Sequence, residues 1–349
     1  MELIVARPEM NSARDKERRV RPMAWAALFA GQLFVCLTPA LSQAQGQGQG
    51  EVWPNRSVRL IVPSGSGGAA DFTARTFAKF AEQQVRQPVV VENRPGAGAI
   101  IGAEAVKNAS PNGYTFLVSG NSTQAANPSL FVNLPYDPAK DFDEVGLFGL
   151  FPMVGMVRKG SPMQSVADLI QNAKSNPGKL SYGHHAASAQ VPPEMIMSRA
   201  GVSMLGVTYK NLGQIITDVA GGTLDFVFLD ALSAAPALQG GLLTAIAVTS
   251  PQRFQSLPNV QTVAEVLPGF EMQGWLGMSA PRGTPPAIVE RMNGLMRDAL
   301  AEQSVRTALE RQGMTVRASS ALEHSAFVAA DRLRWAEWVR IAKIKPASL

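Results

Sequence analysis

Short apolar strands alternate with amphipathic helices from Trp53 onward, and this alternation constrains the fold more than any other feature of the sequence. β-Rich runs bounded by turn residues predict strands over 58–62, 89–91, 114–118, 179–182, 204–207, 225–229 and 243–248. Apolar residues at helical spacing predict helices over 71–84, 100–107, 165–176, 214–220, 285–302, 304–312 and 322–344. Strands separated by single helices are typical of α/β folds with parallel-rich sheets.

The length of this alternating region indicates two domains with a ligand cleft between them. Roughly 300 residues are too many for one compact core and suit two α/β units. We predict that residues 53–152 together with 276–349 form domain 1 and that residues 153–275 form domain 2. The chain would then cross between the domains twice, near 150–157 and near 270–280, and the crossings would form a hinge beside the cleft.

The N-terminal 44 residues have the three parts of a secretory signal peptide. A basic run over 14–21 precedes an almost wholly apolar run over 23–37, and the small residues Ser42 and Ala44 suit a cleavage site. A membrane anchor is the alternative, but a bilayer span takes about 20 apolar residues and this run is shorter. We therefore predict export by the Sec route, cleavage near Ala44, a flexible polar leader over 45–52 and a periplasmic location.

Cleavage would remove the only cysteine and lower the formal net charge from +5 to +3. The large Val35 before Cys36 argues against lipoprotein processing there, and a mature chain without thiols has no disulfide and no Cys nucleophile. Of 32 Lys/Arg and 27 Asp/Glu residues, the first 44 positions hold six and four, which leaves 26 and 23 and a net charge of +3. Such a mild excess excludes a nucleic-acid-binding footprint. We expect a monomer without cofactor or metal.

A glycine-rich loop joins the first predicted strand to the first long helix. It reads PSGSGGAAD over residues 63–71. Glycines let backbone N–H groups approach a guest, and a helix start offers unpaired donors and partial positive charge, so the pattern suits an anion. The loop lacks the lysine of a nucleotide-binding loop and the glycine spacing of a dinucleotide-binding one. An ordinary tight turn is the alternative, with Asp71 bracing the loop and pairing with Arg75.

A series of ordered motifs beyond this loop resembles the Bug family, the substrate-binding proteins of tripartite tricarboxylate transporters. The motifs are PVVVENRPGAG at 88–98, NGYT at 112–115, LPYDP at 134–138, KDF at 140–142, NPGKL at 176–180, VTYK at 207–210, LTAIAVT at 243–249 and APRGTP at 280–285. The resemblance extends over 53–349. It implies a two-lobed, hinged periplasmic-binding-protein fold of the type II kind, and a protein that binds a solute without chemistry. The implied ligand is a small carboxylate, such as a di- or tricarboxylate, an acidic amino acid or an aromatic acid, for delivery to membrane transporter subunits.

Positions carried over from the family predict a ligand site with contributions from both lobes. Loop backbone donors, small polar side chains and ordered waters would hold the carboxylate without burying an unpaired cation. The family usually has an aromatic residue where this chain has Ser64, which makes the first loop smaller and more polar. The predicted ligand-binding residues are Ser64, Gly65, Ser66, Gly67, Gly68, Asp71, Ser119, Asn121, Ser122, Thr123, His184, His185, Ser188, Asp230 and Ser233.

Three histidines raise the question of a more specific role. His184 and His185 could bond the ligand, form a solvated loop pair or, least in keeping with their spacing, contribute to a metal site that lacks a third ligand nearby. His324 lies in the last predicted helix and is most simply a surface residue. Trp275 is expected to pack in the core or the hinge rather than against the ligand.

Two other functions are compatible with the same scaffold. A sensing subunit would present its ligand to a membrane signalling protein rather than to a transporter, and it needs the same closed lobes. An exported hydrolase would need a histidine oriented by an acid, and only His184 and His185 are predicted near the cleft. The sequence favours a binding protein over a hydrolase, and it does not separate a transport receptor from a sensing subunit.

Overall fold

The structure is a computed structural model that describes residues 53–210 and 212–348, all within the compact unit Gln49–Leu349. The predicted signal peptide, its cleavage site and the leader up to residue 52 lie outside the described residues. No helix in the described ranges is both long and apolar enough to cross a membrane.

The described residues form a mixed α/β structure, and each predicted strand and helix overlaps an observed one. The strands are β1 (Val58–Val62), β2 (Val89–Asn93), β3 (Thr115–Gly120), β4 (Phe131–Val132), β5 (Phe142–Arg158), β6 (Ser181–His184), β7 (Leu205–Thr208), β8 (Phe226–Asp230), β9 (Leu243–Val248), β10 (Gln273–Pro281), β11 (Thr315–Val316) and β12 (Ala347–Ser348).

Helices follow most of the parallel strands. They are α1 (Ala69–Val85), α2 (Ile100–Lys107), α3 (Asn127–Leu130), α4 (Val166–Ser175), α5 (Ala187–Ala200), α6 (Leu212–Gly221), α7 (Ala231–Gln239), α8 (Pro286–Ala301), α9 (Gln303–Arg311) and α10 (Ala321–Ile341). A π-helix (Ser122–Ala126) precedes α3, and short 3₁₀ turns occupy Ala97–Ala99 and Val263–Glu265.

One hydrogen-bonded path connects most strands, in the order β2-β1-β3-β10-β5-β8-β6-β7, with β9 and β11 added beside β5. The pairs of β1 with β2 and β3, and of β6 with β7 and β8, are parallel, as the alternating pattern predicts. β10 and β5 run antiparallel to their neighbours. The long connections that parallel pairing requires are supplied by the intervening helices.

The 17-residue strand β5 links two halves of this sheet. Its residues 142–152 pair with β10, and residues 153–158 pair with β8 and β9. We call β2, β1, β3, β10, β11 and residues 142–152 of β5 the first sheet half. The second sheet half consists of residues 153–158 of β5 with β9, β8, β6 and β7. The domain boundaries at 152/153 and 275/276 stay predictions.

Apolar clusters cover both sheet halves, and α10 contributes to more than one of them. Near its middle, Val328 packs with Leu147, Leu150 and Trp275 beside the first half. Near its end, Trp335 and Trp338 join the cluster that α4 and α5 form on the second half. The C-terminal helix therefore contacts both sheet halves.

The prediction that His324 is a surface residue is wrong, because its side chain is fully buried. Residues four, seven and eleven positions further along a helix lie on the same face. Val328, Asp331 and Trp335 occupy those positions, and all are buried against the sheet. His324 therefore belongs to the inward face of α10.

Gly155 offers a test of the packing in the second sheet half. A methyl group there would lie 2.6 Å from Cζ of the fully buried Phe228. We expect Gly155→Ala to lower the free energy of unfolding by about 1–3 kcal/mol, because the overpacked ring must shift. Urea denaturation measures the change.

Gly294→Ala serves as the matched control in the same experiment. Gly294 lies inside α8 with no atom within 4 Å of the added methyl group. Alanine there should raise the free energy of unfolding by about 0.5–1 kcal/mol, because it restricts the unfolded chain and favours the helix. Equal midpoints for Gly155→Ala and the unsubstituted protein would show that Phe228 moves aside freely.

Candidate functional site

A cavity of about 460 Å³ lies where the two sheet halves meet. Four connections line it, and each one follows the carboxyl end of a strand. They are the loop after β1 with Ser64, Gly67 and Gly68, the segment after β3 with Asn121, Ser122 and Thr123, the turn after β6 with His185 and Ser188, and the start of α7 after β8 with Leu232 and Ser233. Ligands of α/β sheets bind at such strand ends.

The loop after β1 is braced by three polar side chains that do not enter the cavity. The Asp71 carboxylate accepts a hydrogen bond from the Gly67 N–H at 2.9 Å and pairs with Arg75. The Arg75 guanidinium also donates to Asn93 Oδ1 at 3.0 Å, and Asn93 Nδ2 donates to the Ser64 carbonyl at 3.1 Å. This bracing fixes the loop before any ligand is bound, which lowers the entropic cost of binding.

The charge state of Asp71 is part of this brace. Burial disfavours the carboxylate, but hydrogen bonds from Arg75 and from the Gly67 N–H outweigh burial, so the pKa of Asp71 lies below its ordinary value. Gly67 has φ +82°, a left-handed conformation that favours glycine, and a side chain there would meet no atom within 4 Å. The loop thus combines an ionised brace with an open backbone.

The segment after β3 turns into the cavity through a π-helix. The Thr123 hydroxyl lies 3.2 Å from both the N–H and the carbonyl oxygen of Gly120, which uses its hydrogen-bonding capacity inside the turn. Asn121 and Ser122 are left at the cavity wall with their side chains available. π-Helices are rare and occur mostly at functional sites.

Two helix N-termini from the second sheet half reach the same cavity. α5 begins after Ala186, whose methyl side chain cannot cap the helix, so its first N–H groups are open to a ligand. α7 begins after Asp230, whose Oδ1 accepts from the Ser233 N–H at 2.9 Å and whose Oδ2 accepts from the Ser233 hydroxyl at 2.7 Å. α7 therefore carries its own anion, whereas α5 does not.

The adjacent histidines have different surroundings. His184 is buried on β6, with Nε2 3.2 Å from the Thr208 hydroxyl, and His185 lines the cavity. Desolvation lowers the pKa of both, with a further contribution from His185 in the case of His184. The Asp230 carboxylate partly opposes the shift at His185. Both imidazoles are thus neutral near pH 7.

Ten of the fifteen predicted ligand-binding residues line the cavity. They are Ser64, Gly67, Gly68, Asn121, Ser122, Thr123, His185, Ser188, Asp230 and Ser233. Among the described residues, no Lys or Arg lines it, and no group of three or more His, Cys, Asp or Glu is placed to hold a metal.

Five predicted residues lie elsewhere, for three physical reasons. Gly65 and Ser66 form the exposed tip of the loop, outside the cavity. Asp71 is buried as the brace described above. Ser119 follows Val118 on β3, and because Val118 lines the cavity, alternation places the Ser119 side chain on the opposite, buried face. His184 is the last residue of β6 and is buried beside Thr208.

The apolar floor of the cavity was not predicted as part of the site. It is formed by the middle of β5, the approach to β10 and the start of α7, with Phe151, Met153, Met272, Leu276 and Leu232. The predicted crossings near 150–157 and 270–280 were the available signal, because segments that cross a cleft form its floor. The backbone of Trp275 belongs to this floor. The Trp275 ring packs in the apolar core rather than against the cavity, as predicted, and its Nε1–H donates to Asp331 on α10 at 2.8 Å.

Comparison with known proteins identifies this architecture. The model of the family described as "Tripartite tricarboxylate transporter family receptor" matches residues 73–344. The chain belongs to this family. The receptor is 31% identical to Protein BugT of Bordetella pertussis over 294 residues, which cover 83% of this chain and 90% of BugT.

Solved structures give the same result. The receptor shares 32% identity and a TM-score of 0.77 with an R. palustris protein solved with adipate, over 84% of this chain and 100% of that one. Periplasmic binding protein BugD shares 29% identity and a TM-score of 0.73 with the receptor, over 84% of this chain and 100% of BugD. MatC from Rhodopseudomonas palustris, solved with bound malate, shares 30% identity and a TM-score of 0.69 with the receptor, over 82% of this chain and 100% of MatC. The predicted two-lobed periplasmic-binding-protein fold is confirmed, and the receptor is a solute-binding protein rather than an enzyme.

Asp71→Asn tests the brace of the first loop. We expect the free energy of unfolding at pH 7 to fall by about 1–2 kcal/mol, because a neutral amide pairs poorly with Arg75 and with the Gly67 N–H. A carboxyl group with a lowered pKa stabilises the fold above its unfolded-state pKa, and this contribution is lost as the pH falls through the folded-state pKa. The difference between the two proteins should therefore shrink as the pH falls below about 3.9, the ordinary pKa of an Asp carboxyl group.

Urea denaturation across this pH range measures the difference. Asp298→Asn is the control, because Asp298 is exposed on α8 and has no side-chain partner in the part of the chain that the structure describes. It should change the free energy of unfolding by less than about 0.5 kcal/mol. A pH-independent loss in Asp71→Asn would mean that the charge of Asp71 plays no part.

Proposed function

We propose that the receptor captures a small dicarboxylate in the cavity between its sheet halves. The observation that carries this proposal is the pair of uncapped helix N-termini, α1 after Gly68 and α5 after Ala186, that reach one cavity from the two halves. A helix N-terminus carries about half a positive charge together with free N–H donors. Two such ends suit a ligand with a carboxylate at each end.

The lining favours an anion held by neutral donors. Without Lys or Arg at the cavity among the described residues, the donors are the loop N–H groups and the polar side chains of Ser64, Asn121, Ser122 and Ser188. Ordered waters can complete the remaining hydrogen bonds. The apolar floor formed by Phe151, Met153 and Leu276 suits a short methylene chain between the two carboxylates.

Asp230 adds a preference within this class. Each of its carboxylate oxygens accepts one hydrogen bond from Ser233 and retains a lone pair at the cavity wall. A ligand hydroxyl or ammonium group could donate to that lone pair, whereas an unsubstituted chain would leave it unpaired. We expect hydroxy- or amino-substituted dicarboxylates to bind more tightly than unsubstituted ones. The relatives solved with adipate and with malate support the dicarboxylate class.

Export and transport complete the proposal. Family membership supports delivery of the ligand to the membrane subunits of a tripartite tricarboxylate transporter, and the signal-peptide pattern of the first 44 residues supports work in the periplasm. A sensing role would require a signalling partner instead. Ligand uptake by membrane vesicles that contain the cognate membrane subunits distinguishes the two, because only a transport receptor would stimulate uptake.

The first test is ligand binding by purified residues 45–349. We expect a thermal shift with malate, aspartate, succinate and adipate, and a smaller Kd for malate than for succinate by isothermal titration. A ligand at a hundredfold excess over its Kd stabilises the native state by about 2.7 kcal/mol. The dimethyl esters of the same acids are the control, because they lack the charges that helix N-termini attract. Equal shifts with acids and esters, or none with any acid, would contradict the proposal.

His185 should make the affinity pH-dependent. Its pKa is lowered in the free receptor, so it is neutral at pH 7, and a bound carboxylate favours its charged form. Binding then takes up a proton, and the Kd should fall by about three- to tenfold between pH 8 and pH 5.5, where the ligand is still largely ionised. Isothermal titration at several pH values measures this.

Two glutamine substitutions separate the adjacent histidines. His185→Gln should flatten the pH dependence, because the group that takes up the proton is lost. His184→Gln should retain it, because His184 lies outside the cavity beside Thr208. A pH profile that survives in His185→Gln would assign the proton uptake to another group.

A further inference from the structure

A cluster of buried polar atoms lies behind the cavity wall, away from the proposed ligand. Six buried side-chain polar atoms in the described part of the chain lack a hydrogen-bond partner, and four of them belong to Ser119, Gln124 and His324. All three residues are 2% exposed or less. Unpaired polar groups in a dry interior are costly, so a concentration of them at one place calls for a role other than stability.

Hydrogen bonds join Gln124, Ser279 and Glu144 into a chain of residues across the first sheet half, and His324 lies beside Glu144. Gln124 Nε2 donates to the Ser279 hydroxyl at 3.4 Å, and the Ser279 hydroxyl donates to Glu144 Oε2 at 2.7 Å. His324 Nε2 lies 3.3 Å from the same Glu144 oxygen, close enough for an ion pair but too bent for a full hydrogen bond. The π-helix, β10, β5 and α10 each contribute one member.

The surrounding sheet is shaped to admit the imidazole. A methyl group on Gly277 would lie 2.6 Å from His324 Nε2 and 2.8 Å from the Gly146 carbonyl oxygen. Trp275 packs edge-on against the imidazole, with ring centroids 5.2 Å apart. The His324 imidazole thus fits because residue 277 is glycine, and a larger residue at that position would exclude it.

The two ends of this chain of residues lie at different surfaces. Gln124 lies in the π-helix, directly after Ser122 and Thr123 at the wall of the ligand cavity. Glu144 also lines a separate cavity of about 550 Å³ on the outside of the first sheet half, beside α8 and the start of α10. Hydrogen bonds therefore run from the outer surface, through the sheet, to the segment that carries the proposed ligand contacts.

We propose that Glu144 and His324 are positioning residues for ligand binding, which act through Ser279 and Gln124 to hold the π-helix at the cavity wall. The Glu144 carboxylate anchors the Ser279 hydroxyl, Ser279 receives the Gln124 amide, and His324 supplies the polar neighbour that a buried carboxylate needs. This inference rests on the proposed function, because the cavity is taken as the ligand site.

Substitutions along the chain of residues test the proposal with L-malate as the probe. Glu144→Ala and Ser279→Ala should each raise the Kd about tenfold, which corresponds to the loss of about one hydrogen bond's contribution. Hydrogen–deuterium exchange of residues 122–126 should become faster in both. Glu144→Gln should restore most of the affinity and protection, because its amide oxygen can still accept from Ser279.

A second pair of variants tests His324 itself. His324→Phe should weaken binding, because it removes the imidazole from beside the buried Glu144 carboxylate and leaves the Ser279 hydroxyl to offset the charge. Adding Glu144→Gln to His324→Phe should recover part of the loss, since the neutral amide no longer needs the imidazole; such recovery is the coupling that a double-mutant cycle detects. Glu290→Ala is the control. Glu290 lines the same outer cavity as Glu144, and among the described residues it has no hydrogen bond or ion pair with Gln124, Ser279, Glu144 or His324.

The outcomes separate this inference from the proposed function. If Glu144→Ala and Ser279→Ala only lower the melting temperature, and leave the Kd and the exchange of residues 122–126 unchanged, the residues are purely structural and the inference is wrong. If the unsubstituted receptor binds no dicarboxylate, the proposed function fails. Exchange measured without ligand then decides the positioning role alone, and unchanged protection at 122–126 would overturn it. Should the alanine variants not fold, Ser279→Cys takes their place, because a thiol donates and accepts more weakly than a hydroxyl, and Glu144→Gln remains the conservative comparison.

Discussion

The antiparallel pairing of β5 with β10 is the interaction on which the rest of the structure depends. These are the strands that carry the chain between the two sheet halves, and their ladder runs from Gln273 opposite Pro152 to Pro281 opposite Phe142. The parallel units on either side attach to this pair through β3 and β8. Because a cavity between two sheet halves needs a floor that belongs to both, the middle of β5 and the start of β10 supply it.

The site built on this floor uses partial charges in place of ionic ones. Full cations buried beside a cavity are costly unless they are paired, and the Arg75 guanidinium nearest the first loop is committed to Asp71 and Asn93. That pairing orders the backbone N–H groups, and the helix ends supply the positive potential. The chain thus places its ion pair outside the cavity and its dipoles inside.

Much of the fold could be predicted from the sequence, because strands of β-branched residues and helices of regular spacing are local patterns. β10 could not, since its run QGWLGMSAP has two glycines and no β-branched residue, and it is a strand because β3 and β5 pair with it on either side. α10 is apolar on more than one side: Leu322 and Leu333 are 81% and 76% exposed while Trp335 is buried. Periodicity therefore could not show that His324 faces inward.

The site residues, too, could be predicted where local sequence determines their position and could not where distant residues do. The glycine-rich loop was predictable because a strand, a turn and a helix start in sequence specify their own geometry. Ser119 and His184 were misplaced because a strand's last residue can be read from sequence only to within about two positions, and a shift of one reverses the face. The buried chain from Gln124 to His324 joins residues up to 200 positions apart and had no local signal.

The lack of a cation at the cavity among the described residues also bears on how a ligand arrives. Clefts lined by charge of one sign focus the field and draw in oppositely charged ligands, and salt weakens this attraction. Dipoles at helix ends act only over about one turn. For the proposed dicarboxylate, the helix ends therefore act only once the ligand is inside the cavity, so discrimination among anions depends on how long each one stays there.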